Sequence, residues 1–127
     1  MHVLATALVA SFLHFLFFLM ESVFWGTRGV NRIFKLAPEV AKTPAVRLFA
    51  FNMGFYNLFL SLGTLAALKL LEKGCCPGGV TLLAFCTSCM VAAGFVLLLS
   101  GGLRRLPAAL IQSGPPAACL YFLFCNQ

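Results

Sequence analysis

Four long apolar runs constrain this chain more than any other feature, because each is near the roughly 20 residues a helix needs to cross the hydrocarbon of a bilayer. The first extends from about Val3 to Trp25 and is interrupted only by Thr6, Ser11, His14, Glu21 and Ser22. The second spans about Leu48 to Leu71, the third Val80 to Ser100 and the fourth Pro107 to Cys125. Only 9% of the 127 residues are charged, against about a quarter in a soluble globule. Nine Lys/Arg and three Asp/Glu cannot cover a water-facing surface. The expected fold is therefore all-α: an integral membrane four-helix bundle forming one transmembrane domain over residues 1–127. Its helices are expected at about 3–25, 48–71, 80–100 and 107–125, with a basic inner loop at 26–47. The composition argues against intrinsic disorder, against a nucleic-acid partner and against a large extramembrane catalytic domain.

The links favour an up-down-up-down order, since short connections join antiparallel neighbours. The first run has no basic start and is too long for the apolar segment of a cleavable signal, so it is expected to remain in the protein. Orientation follows the Lys and Arg of short loops. Arg28, Arg32, Lys35, Lys42, Arg47, Arg104 and Arg105 gather on one side, against Lys69 and Lys73 on the other. Seven against two places both termini outside and the basic loops on the cytoplasmic side, or the matrix side in a mitochondrion. A bacterial or mitochondrial inner membrane is the expected location. No internal repeat stands out, which argues against an inverted-repeat transporter.

Polar residues inside these runs are the most informative, because ionisable groups in a membrane are costly and mark functional candidates. Ser11, His14, Phe18, Glu21, Ser22 and Trp25 form one stripe at helical spacing. Asn52, Tyr56 and Asn57 on the second helix and Gln112 on the fourth are expected at the depth of Glu21. The candidate intramembrane cluster is therefore His14, Glu21, Trp25, Asn52, Tyr56, Asn57 and Gln112. One reading is a pocket for the polar head of an apolar ligand, or a proton relay through His14 and Glu21. The other is interhelical hydrogen bonding that locks the bundle, with Glu21 facing a cation such as Arg28 or Arg105.

The segments that carry these residues resemble a known membrane family. Leu13-His14-Phe15-Leu16-Phe17-Phe18-Leu19-Met20-Glu21-Ser22-Val23-Phe24-Trp25 resembles the opening helix of the family catalogued as domain of unknown function 1304. Its hallmarks are the histidine, the glutamate two turns on and the tryptophan. Phe34-Lys35-Leu36-Ala37-Pro38-Glu39 is similar to that family's F-x-L-x-P-E segment. Ala50 to Leu60 resembles its A-x-N-Q-G-x-Y-N-x-F-L signature, and Gln112-Ser113-Gly114-Pro115 its Q-G-x-P pattern. Met53 stands where the family usually has glutamine, so a polar site shared with the family is altered here. The third helix matches little beyond hydropathy. The resemblance implies a four-helix membrane protein and supplies no activity.

Six cysteines fall towards the expected outer side. Cys86 and Cys89 form a Cys-x-x-Cys pair, which fits a quinone-linked thiol oxidoreductase or a disulfide. Such a reaction needs a stabilised thiolate, whereas the neighbours are Leu, Ala, Phe and Met. Cysteines in apolar helices also serve as small hydrophobes. No metal constellation stands out. In the basic loop, Pro38 and Pro44 argue against one continuous helix. There Phe34 and Leu36 are expected to dip into the interface while the cations meet anionic headgroups or a partner subunit.

The reading that results is a small membrane protein without evident catalysis. The leading expectation is a structural or accessory subunit of a larger membrane complex, of which an energy-converting complex is one kind, with membrane lipids and other subunits or further copies as partners. The alternatives are binding or transport of a small apolar molecule at the His/Glu/Asn site, and the thiol oxidoreductase. No cofactor is expected beyond a bound lipid or quinone.

Overall fold

A computed structural model describes residues 1–125 of the chain. The expected domain range ends in Asn126 and Gln127, which lie outside the described residues. Helix α1 (His2–Phe18) runs into a π-helical turn, Leu19–Val23. Two short helices follow, α2 (Arg28–Phe34) and α3 (Pro38–Ala41). Then come α4 (Pro44–Glu72), α5 (Cys76–Gly101), a 3₁₀ turn at Leu103–Arg105 and α6 (Leu106–Cys125).

The fold is all-α, with no strand among the described residues. Four helical stretches are long and apolar enough to cross a membrane: His2–Val23, Pro44–Glu72, Cys76–Gly101 and Leu103–Cys125. The shortest has 22 residues, or about 33 Å of helix. α4 and α5 begin before their apolar runs because proline fits a first helical turn, where its missing N–H is no loss. Pro44 opens α4 and Pro77 lies in the first turn of α5. Arg47 is consequently a residue of α4 and not of the preceding loop.

The described residues form two compact units, 1–13 with 60–125, and 14–59. In the first, the core consists of Ala7, Ala67, Leu83, Cys119 and Leu123, drawn from α1, α4, α5 and α6. Ser11 approaches Ser61, with hydroxyl oxygens 2.9 Å apart and the Ser11 hydroxyl 3.2 Å from the Ser61 carbonyl. Such bonds suit helices that gain no hydrophobic drive from one another in lipid. Gly74, at φ +78°, ends α4. Its N–H donates to the Leu71 carbonyl, and that of Cys75 donates to the Leu70 carbonyl. This is a Schellman stop, in which glycine adopts the left-handed conformation without steric cost.

The second unit holds the basic loop. Thr27 caps α2, its hydroxyl accepting from the Val30 N–H at 3.5 Å. Lys35 closes the helix in the left-handed region at φ 55°. The loop is thus two short helices broken at Pro38. Phe34 and Leu36 are only half-exposed, and the Phe34 ring meets the Trp25 indole edge-on at 5.4 Å. The outward apolar positions are instead Ile33 and Val40, because Phe34 is the larger surface and gains more by covering the indole.

Candidate functional site

The site lies in the second unit, where the π-helical turn meets the first half of α4. In a π turn the backbone bonds reach one residue further than in an α-helix, and such turns gather at functional positions. Here the Phe24 N–H donates to the Leu19 carbonyl at 2.8 Å. The extra residue lets two successive side chains engage α4. Glu21 Oε2 accepts a hydrogen bond from Asn57 Nδ2 at 2.8 Å. The Ser22 hydroxyl donates to the Phe51 carbonyl at 2.9 Å.

Gly54 permits this approach. A Cβ there would collide with the Ser22 hydroxyl and stand 3.1 Å from both Glu21 Cβ and Ser22 Cβ. The contact surface of α4 is set by Gly54, with Ala50 one turn before it and Asn57 one turn after. Asn52 and Tyr56 are each two residues from Gly54, so at 100° per residue they point about 160° away. Both are exposed. Asn52 donates to its own helix, to the Leu48 carbonyl at 2.8 Å. The Tyr56 ring leans edge-on against Phe59 at 6.5 Å.

A cleft of about 480 Å³ opens beside Glu21, walled by Ser22, Trp25, Arg47, Leu48 and Phe51 among others. A second, of about 320 Å³, includes Lys42 and Thr27 and shares Trp25 and Arg47 with the first. Trp25 is fixed by donation from Nε1 to the Ala41 carbonyl at 3.0 Å. Its indole therefore forms a stable wall between the two clefts. The Glu21 oxygen Oε1 receives no hydrogen bond among the described residues. Arg47 makes no ion pair among them either, where the sole pair is Lys69 with Glu72.

The structure thus joins Glu21 to Asn57 and sets Trp25 and Arg47 around the same cleft. It does not bring Asn52 or Tyr56 to that cleft. His14 is fully buried, edge-on to Phe17 at 5.5 Å, and does not line it. Gln112 belongs to α6 in the other unit, half-exposed. The cation that shares the Glu21 cleft is Arg47, where Arg28 had been one candidate. Arg28, Arg32, Lys35 and Lys42 are exposed on the loop helices and their ends, and Arg104 and Arg105 occupy the 3₁₀ turn before α6. Cys86 is buried and Cys89 half-buried on α5, and all six cysteines are free thiols. Among the described residues no group of His, Cys, Asp and Glu could hold a metal ion. Sequence reasoning missed Gly54, Phe51 and Leu48 as parts of the site. The signal for Gly54 was its place in a run of small residues, Ala50, Gly54, Ser61 and Thr64, at helical spacing.

Four apolar spanning-length helices, with polar side chains turned onto neighbouring helices, define an α-helical integral membrane protein. The chain belongs to the family described as protein of unknown function (DUF1304), whose model matches residues 8–124. No curated protein and no solved structure matches the chain significantly.

Proposed function

We propose that this protein binds an amphipathic molecule of the membrane, with the polar head held in the Glu21–Arg47 cleft and the apolar part lying along α4. One observation carries the reading: the Glu21 carboxyl group and the Arg47 guanidinium wall the same 480 Å³ cleft with no ion pair between them. An ionisable group on a membrane-spanning helix calls for a polar partner, and a polar head would satisfy both. Leu48 and Phe51 continue the wall with apolar surface. In this reading both termini are outside and the basic loop is inside, which the seven-to-two distribution of Lys and Arg supports. The test compares Glu21→Gln with the parent. Ligand retention falls while thermal stability holds. Equal loss of both would favour a purely structural Glu21.

The second reading is a structural or accessory subunit of a larger membrane complex. It is favoured by the bonds Glu21–Asn57 and Ser11–Ser61, which act as fasteners between helices. It predicts that gentle extraction recovers the chain in fixed ratio with larger subunits. A monodisperse chain alone in mild detergent would count against it.

A further inference from the structure

We infer that the head the cleft accepts is that of an aminophospholipid: a primary ammonium and a phosphate diester on one molecule, as in phosphatidylethanolamine. This deepens the reading above and rests on it. The Glu21 oxygen Oε1 is an acceptor that no described protein group uses. It calls for a donor, and beside a carboxylate a cationic donor makes the strongest hydrogen bond. Arg47 lines the same cleft and calls for an anionic oxygen, which its guanidinium can grip in two places. Lys42 stands in the adjoining cleft that shares Trp25 and Arg47, and adds positive charge on the phosphate side.

Alternative headgroups satisfy only part of this set. A purely anionic head would meet Arg47 and Lys42 but set like charge against Glu21. A quaternary ammonium offers charge and no N–H, leaving Oε1 without a donor. Inorganic phosphate offers nothing to Leu48 and Phe51. An aminophospholipid offers all three chemistries, and its acyl chains need only the apolar surface that continues along α4. Trp25 fixes the depth, since indoles favour the level of the headgroups.

The test uses the full chain in nanodiscs containing equal amounts of phosphatidylethanolamine, phosphatidylcholine and phosphatidylglycerol with the same acyl chains. Native mass spectrometry then reads the lipid retained on the protein. The parent is expected to retain the ethanolamine lipid about tenfold over the choline lipid, the ratio set by one charge-assisted hydrogen bond. Glu21→Gln is expected to abolish that preference while still retaining lipid. Arg47→Gln lowers retention of all three lipids and so tests the phosphate contact separately should Glu21→Gln fail to fold. Equal retention of the three by the parent, or a preference for phosphatidylglycerol, would overturn the headgroup assignment. If the parent instead keeps a non-phospholipid amphiphile through Arg47 and Glu21, the assignment falls while the broader reading stands. If retention ignores both residues, both fall.

Discussion

Replacing Gly54 by alanine tests whether the site is built on close approach of the π-helical turn to α4. The added Cβ meets the Ser22 hydroxyl directly and lies 3.1 Å from Glu21 Cβ and Ser22 Cβ, so the two segments must separate. Overpacking of this kind costs about 1–3 kcal/mol. Separation also weakens Ser22–Phe51 and Glu21–Asn57, each worth about 0.6 kcal/mol between membrane helices. Against this, alanine gains about 1 kcal/mol over glycine in a helix interior. The balance is a loss of about 1–3 kcal/mol by these terms. Gly114→Ala in α6 is the control, because nothing lies within 4 Å of its Cβ position. Thermal or denaturant unfolding in one detergent measures both variants. Gly54→Ala is expected to unfold earlier than the parent and Gly114→Ala to match or exceed it. Adding Ser22→Ala to Gly54→Ala removes the nearest clashing atom and is expected to recover part of the loss. A Gly54→Ala protein as stable as Gly114→Ala would refute the close-approach account.

Lys35 closes α2 in the left-handed region, where a side chain is strained and glycine is not, so Lys35→Gly is expected to raise the unfolding midpoint in a melting experiment. Lys69 and Glu72 form an exposed ion pair at 2.8 Å, and exposed pairs contribute little. Lys69→Ala is therefore expected to leave the midpoint unchanged, and a clear drop would show that the pair matters. Cys75 and Cys76 are exposed while Cys86 and Cys119 are buried. A membrane-impermeant maleimide added to intact cells is expected to label the exposed pair and spare the buried one. Protection of Cys75 and Cys76 until the membrane is opened would reverse the proposed orientation.

The four spanning-length helices were legible because hydrocarbon demands long apolar runs, and no other fold accommodates them in this composition. Glu21 and Asn57 were legible as costly polar groups at similar depth. Rotation about the helix axis was not. Asn52, Tyr56 and Asn57 all satisfy the depth argument, yet the small residues Ala50, Gly54 and Ser61 decide which side of α4 is covered, and that side holds Asn57. The π turn was hidden as well, since its inserted residue follows from competition between side-chain bonds and backbone register. Arg47 was read as a lipid contact at the border of the loop. Its place on α4, one turn before Phe51, followed only once Pro44 was seen to start the helix.

The central claim is that Glu21 and Arg47 together hold an amphipathic molecule. The most direct test is gentle extraction of the native protein and of its Arg47→Gln variant, followed by native mass spectrometry. The account predicts that the parent carries a bound amphiphile in fixed ratio and that the variant, still folded, loses it. The same amphiphile retained equally by both proteins, or a parent chain that carries none, would contradict it.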